Sequence, residues 1–217
     1  MQTVLITGAN RGIGRATADA LVARGCKVYY AARSIENLPS GDLATPISLD
    51  VTDPTSIARA VVFFEERKEA LDVLINNAAI IGRADVTSFD VEEITRVMDT
   101  NFNGPVRVTK AFFPFLEKSP SARVIHVSSG MGAISDLAGD HAAYRFSKSA
   151  LNAFTISLAR AQDRVKVVAV CPGWVRSDMG GKSAPRSLEE GAVGIVGLAL
   201  NQIESGKFYR DGRVIPW

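Results

Sequence analysis

The sequence predicts an α/β fold of the doubly wound type, a mostly parallel seven-stranded sheet with helices on both faces. Three observations carry this. Short apolar runs of strand length alternate with longer amphipathic stretches, the pattern of βαβ units around a parallel sheet. A cluster of glycines stands between the first such run and the first amphipathic stretch. No fixed-period repeat, low-complexity tract or inter-domain linker interrupts the alternation, so residues 1–217 read as one domain.

The elements follow in order. Residues 3–7 (Thr-Val-Leu-Ile-Thr) form a buried strand, and residues 12–24 a helix with Ile13, Ala16, Thr17, Ala20 and Leu21 at helical spacing. The second strand is 27–32 and the third, a weak one, is 47–51. Pro54 then opens a helix to about residue 68, with Thr52 or Asp53 as its cap. Residues 71–75 are the fourth strand, and 91–118 are one helix or two abutting helices. The fifth strand is 123–128, followed by a helix over 141–161. The sixth strand is 165–171 and the last helix 187–200. Asp211-Gly212 gives the tail, 207–217, the look of a strand with a tight turn.

Composition narrows the function class. The 25 basic and 23 acidic residues leave a net charge of +2, too balanced for a nucleic-acid or anionic-membrane surface. With 47% hydrophobic residues the chain can bury a sizeable core and is not disordered. No apolar run reaches the ~18 residues of a membrane span, and the N-terminus lacks the features of a signal peptide. The two cysteines, Cys26 and Cys171, lie far apart beside strand-like runs and read as reduced core thiols of a cytoplasmic protein. His126 and His141 are too few and too separated for a metal site, and His126, inside a strand, reads as a satisfied core histidine.

In a parallel sheet the ligand sits beyond the carboxyl ends of the strands, so the informative residues are those that follow each strand. After the first come Gly8, Asn10, Arg11, Gly12, Ile13 and Gly14, with glycines spaced G-x-x-x-G-x-G. Glycines there let backbone N–H groups approach a pyrophosphate, and a helix N-terminus adds its dipole. A glycine trio also serves an ordinary strand–helix turn; its place after the first strand favours a dinucleotide. After the second strand comes Arg33 with no acidic residue beside it, which suits the extra phosphate of NADP(H) rather than the ribose hydroxyls of NAD. Arg11 is a second cation nearby. Asp50 could accept from an adenine amino group with Val51 against the ring, or simply form a helix-capping turn. After the fourth strand, Asn76 and Asn77 with Ala78 and Ala79 read first as a turn locked by side-chain amides. The fifth strand ends in Ser128-Ser129, and Tyr144 and Lys148 follow at i, i+4 on one helix face. An ammonium beside a phenol should draw its pKa toward neutrality and make it a general acid/base.

Together these residues resemble the short-chain dehydrogenase/reductase family, and its carbonyl reductases in particular, over essentially the whole chain. Thr7 to Gly14 matches the family's T-G-x-x-x-G-x-G loop, and Tyr144 to Lys148 its Y-x-x-x-K. Asn76 to Ala78 matches N-N-A-G in its first three positions, with Ala79 for the final glycine. Asn101 matches the helix asparagine and Ser129 the catalytic serine. Residues 171–179 resemble the P-G-W-V-x-T-D-M stretch, with Ser177 for its threonine.

The resemblance implies a Rossmann-like fold and an NADPH-dependent carbonyl reductase, reversible as an alcohol dehydrogenase. In this reading Tyr144 exchanges the proton, Ser129 steadies the carbonyl oxygen, and Lys148 tunes Tyr144 and holds the nicotinamide ribose. Asn101 would fix a water leading to solvent. Val175 and Ser177 would hold the carboxamide, and Pro172 and Gly173 would pack at the nicotinamide ring. The alternative is a non-catalytic NADP-binding sensor on the same fold, which has no need of all four catalytic residues. A nucleotide-sugar epimerase shares Y-x-x-x-K, but few residues follow Met179 to build its substrate region. The pocket borders, residues 79–85, 130–143 and 174–184, carry few charges and suggest an apolar carbonyl substrate. The Gly180, Gly181 and Pro185 stretch reads as a lid. The long insert that the monomeric animal carbonyl reductases carry before the Tyr144 helix does not fit between Ser129 and Tyr144, so a homodimer or homotetramer through the helices bearing Phe112, Phe113, Phe115, Phe146 and Phe154 is expected.

Overall fold

Strand and helix alternate along the chain as the hydrophobic pattern requires, and a computed structural model describes residues 1–88 and 90–217. The first half runs β1 (Thr3–Thr7), α1 (Gly12–Val22), β2 (Lys27–Ala32), β3 (Ala44–Ser48), α2 (Pro54–Glu65) and β4 (Val73–Asn76). The second runs α3 (Val91–Met98), α4 (Gly104–Leu116), β5 (Arg123–Val127), α5 (Ala142–Ala161), β6 (Lys166–Val170), α6 (Leu188–Leu200), β7 (Phe208–Arg210) and β8 (Arg213–Ile215). One sheet takes the strands in the order β3-β2-β1-β4-β5-β6-β7-β8. All neighbours are parallel except β7 and β8. From β1 the chain winds outward to β3 and then returns to β4 on the other side of β1. The loops after β1 and β4 therefore part, and a crevice opens at this switch point.

Strand period two sends neighbouring residues to opposite faces. Val4 and Ile6 of β1 join Val28, Tyr30, Ile125, Val168 and residues of α1 and α6 in one core layer. Leu5 of the same strand joins Tyr29, Leu74, Val124, Val167 and residues of α2 and α4 in the other. Phe64 of α2 is the centre of this second layer, with its ring 4.8 Å from Tyr29, 5.8 Å from Phe112 and 4.9 Å from Phe115. Phe112 and Phe115 are thus core residues and contribute nothing to an outer face, whereas Phe113 and Phe154 are half-buried and Phe146 is exposed.

Three elements differ from the sequence reading. The third strand lies three residues earlier than 47–51, with Pro46 inside it. Proline lowered its strand signal, but β3 is an edge strand paired only to β2, where a missing N–H is tolerated. The tail holds two strands rather than one, making eight: Asp211 and Gly212, at φ +52° and +73°, turn β7 back into β8. The 91–118 stretch is two helices joined by a π-helical turn over Asp99–Asn103. Among the described residues no helix is long and apolar enough to cross a membrane, and no His/Cys/Asp/Glu cluster is placed to hold a metal.

Candidate active site

The carboxyl ends of the parallel strands meet along one edge, and a cavity of about 680 Å³ opens at the β1/β4 crevice. Gly8, Asn10, Arg11, Gly12, Ile13 and Gly14 line it from the loop after β1, and Arg33 from the loop after β2. Asp50 and Val51, then Asn77, Ala78 and Ala79, follow β3 and β4, and Ser177 comes from beyond β6. Thirteen of the sequence-derived cofactor candidates thus share one cavity. Pro172, Gly173 and Val175 do not line it. Gly173, at φ +82°, instead packs against Arg186, whose guanidinium donates to Pro172 O and holds Asp211.

The glycines of the first loop are needed for two reasons. Gly8 and Gly12 adopt φ of +67° and +59°, where a side chain is strained. Gly14 is helical, but a Cβ there would stand 2.4 Å from both Asn77 Nδ2 and Gly8 O. Asn77 is the lock expected of a paired amide. Its Nδ2 donates to Thr7 O and Gly8 O, and its backbone N–H donates to Thr7 Oγ1. Ala79 needs no glycine: among the described non-glycine residues only Lys68, His141 and Asp211 have positive φ. Helix α1 begins at Gly12 with no side-chain cap on its first amides, the arrangement that receives an anion at a helix N-terminus.

At the far end of the cavity Arg33 is exposed and forms no ion pair among the described residues. Asp50 is held by Thr52, whose amide and hydroxyl both donate to Oδ1. Burial opposes its ionisation, but these bonds and the nearby Arg33 charge leave its carboxyl below the ordinary range. Arg11 departs from expectation. It is paired with Asp178, which the loop after β6 brings across the crevice mouth. That loop is also braced internally. Trp174 Nε1 donates to Gly180 O, and Arg176 donates to Ala184 O and Pro185 O.

Beside the cavity lie Ser129, Tyr144, Lys148 and Asn101. Ser129 follows β5 by two residues and its Oγ accepts from Met131 N, starting a 3₁₀ turn over Gly130–Gly132. Tyr144 and Lys148 occupy one buried face of α5, with Lys148 Nζ 5.6 Å from the Tyr144 ring centre and donating to Val127 O. The expected drop of the Tyr144 pKa toward neutrality is not what this environment imposes. Burial pushes the phenol up to about 12, opposed by a hydrogen bond with Ser129. Burial likewise pulls Lys148 down to about 8. Asn101 sits in the π-helical turn, fully buried. Its Oδ1 accepts from Ile80 N, and its Nδ2 donates to Ile80 O and Ser147 Oγ. Since Ile80 lines the cavity, Asn101 ties α5 to the cavity wall.

Two residues near this group were read from sequence only as core. Cys171 is free and buried, as expected, but its Sγ also accepts from Gly130 N and Arg210 Nη2, directly behind Ser129. Its position at the end of β6 was the available signal. His126 is buried but only half satisfied: Nδ1 meets Thr155 Oγ1 at 2.8 Å and Nε2 has no partner among the described residues. Burial pulls its pKa down to about 3, so it stays neutral.

Comparison with known proteins places this geometry. A family model described as short chain dehydrogenase matches residues 2–187. A short-chain dehydrogenase, anuI, of Penicillium roqueforti is 36% identical over 220 residues, covering 90% of this chain and 87% of its own. The NADPH-bound carbonyl reductase from chicken fatty liver superposes with a TM-score of 0.90 at 30% identity, covering 100% of this chain and 94% of its own. The carbonyl reductase Sniffer of D. melanogaster does so at 0.93 and 31%, with both chains fully covered.

Proposed function

Because the chain belongs to the short-chain dehydrogenase family and is an oxidoreductase of that family, we propose that it reduces an aldehyde or ketone to the alcohol with NADPH, reversibly. The observation that carries this is a buried Tyr144–Lys148 pair on one helix face, hydrogen-bonded to Ser129 and tied through Asn101 and Ile80 to a cavity of dinucleotide size. The residues present fit NADPH. A Cβ on Gly14 would break the loop that would hold the pyrophosphate, the α1 amides are uncapped, and Arg33, with no ion pair among the described residues, is a cation at the end that would meet the ribose phosphate. Gly8 to Gly14 would hold the pyrophosphate, Asp50 and Val51 the adenine, and Ser177 the carboxamide. Bound NADPH supplies the hydride.

The chain's own residues supply position and the proton. Tyr144, with its phenol near 12, is protonated at physiological pH and donates to the carbonyl oxygen. Ser129 donates to the same oxygen and stabilises the developing charge. The Lys148 ammonium stabilises the phenolate that forms, and Asn101 holds the wall beside it. Oxidation of NADPH by a panel of aldehydes and ketones, followed at 340 nm, tests the reading. Apolar carbonyl compounds are expected to be the better substrates, since Ile134, Leu137 and Trp174 are exposed in the segments that the sequence reading assigns to the pocket border. Tight NADPH binding without oxidation by any compound would leave a sensor in its place.

A pH dependence follows. Burial lowers Lys148 to about 8, so its ammonium is present below that pH and lost above it. The kcat for reduction is expected to hold level near neutrality and fall as pH passes 8, while Tyr144 stays protonated. A profile at saturating NADPH that is flat to about pH 10 would contradict the role of the ammonium.

The chain is further proposed to pair with itself through the outer faces of α4 and α5. Phe146 is exposed there and Phe113 and Phe154 are half-buried. Light scattering at micromolar concentration should give a dimer or tetramer mass, and a single monomer mass would refute the pairing.

A further inference from the structure

We propose that Asn152 is a positioning residue that sets the Ser129 hydroxyl against Tyr144. The proposal rests on the roles given to Ser129 and Tyr144 above.

Asn152 lies on α5 two helical turns beyond Tyr144 and one beyond Lys148, on the same inward face. It is 4% exposed, and both ends of its amide are engaged. Oδ1 accepts from Ser128 Oγ at 2.6 Å, and Nδ2 donates to Gly132 O at 3.2 Å. Ser128 immediately precedes Ser129, and Gly132 closes the 3₁₀ turn that Ser129 begins. One side chain therefore holds the Ser128 hydroxyl on one side of Ser129 and the Gly132 backbone carbonyl on the other. Because that side chain rides on the helix carrying Tyr144, it couples the serine to the tyrosine directly.

The surroundings make the clamp effective. Gly132 has no room to move inward, since a Cβ there would stand 2.6 Å from Lys148 Cβ. Ser149 Oγ donates to the same Gly132 carbonyl at 3.0 Å. The next rung down, Thr155 with His126, is equally buried and on the same helix face but touches neither flank of Ser129. A residue needed only to seat α5 on the sheet would have no reason to bond the turn beyond Ser129. Thr155 does the seating without it.

The test is a double-mutant cycle with Asn152→Leu, a substitution of similar volume that removes both bonds. Asn152→Leu is expected to lower kcat about 10- to 100-fold, as a sub-ångström to ångström misplacement does, with NADPH affinity within about twofold of wild type by calorimetry. In a Ser129→Ala background it should cost nothing further, because Asn152 acts through Ser129. Thr155→Val should lower the melting temperature and leave kcat within about twofold. Multiplicative losses in the double variant, or an equal kcat loss in Thr155→Val, would overturn the positioning role while leaving the reductase reading intact. Full activity of Ser129→Ala alone would instead overturn the reading of Ser129, and this proposal with it. Should Asn152→Leu fail to fold, Ser149→Ala removes the second donor to Gly132 O from a half-buried position. Its smaller kcat loss must likewise vanish in the Ser129→Ala background, and persistence there would overturn the proposal.

Discussion

Tyr144→Phe is expected to lower the rate of carbonyl reduction at least ~10²-fold while leaving NADPH affinity within about twofold. The ring of Tyr144 is buried at 8% exposure, and phenylalanine keeps that packing. What is lost is the hydroxyl, the group proposed to hand its proton to the carbonyl oxygen. Lys148 cannot replace it, because its Nζ is spent on Val127 O and holds its charge only below about 8. Ser129 cannot either, since an aliphatic hydroxyl is far too weak an acid. General acid catalysis contributes typically 10²–10⁴-fold, which sets the floor of the loss. Removing one partner of the Ser129 hydrogen bond should cost stability only about 1 kcal/mol, so the protein remains folded. The measurement is kcat with the best carbonyl substrate, alongside NADPH titration. A variant within a few-fold of wild type would remove Tyr144 from the role of acid.

The second large effect concerns the cofactor. Arg33→Asp is expected to weaken NADPH about ten- to a hundredfold and to improve the use of NADH. A charge-assisted bond between arginine and phosphate is worth roughly 1.5–3 kcal/mol, which gives that range. Arg33 follows the buried end of β2, is exposed at the cavity, and has no competing carboxylate bound to it among the described residues. Arg11, the other cation, is engaged by Asp178 and would have to leave that pair to assist. With Arg11 so engaged, more of the discrimination is expected to fall on Arg33 than two free arginines would give it. An aspartate at 33 would repel the ribose phosphate and offer the hydroxyls of NADH an acceptor. Comparison of kcat/KM with both cofactors in wild type and variant decides it. Wild-type preference for NADH would show that Arg33 serves only the solvent.

Much of this molecule was legible in the sequence because its signals are local. Alternating apolar and amphipathic runs specify strands and helices with little help from elsewhere, and the parallel order follows from short connections. The glycine loop was legible because Gly8 and Gly12 meet a backbone requirement of their own, φ above zero. Tyr144 and Lys148 were legible because helical geometry alone puts i and i+4 on one face. The third strand was misplaced because Pro46 is a local warning that only an edge position cancels. The last hairpin was read as one strand because a three-residue strand carries almost no periodicity.

What only the tertiary structure decided are relations between residues remote in sequence. Asn77 closes on Thr7 and Gly8 across 69 and 70 positions, and Gly14 is required because that amide stands against it. Asp178 captures Arg11 from 167 positions away. The pKa values belong here too. Sequence spacing puts a lysine near a tyrosine and suggests a lowered phenol, but burial acts on both groups at once. Removing water disfavours the charged form of each, so the phenol rises and the ammonium falls. Sequence thus specified which groups the chain brings to the site. Their protonation, their alignment, and the clamp of Asn152 around Ser129 arise only when the fold excludes water and sets α5 against the end of β5.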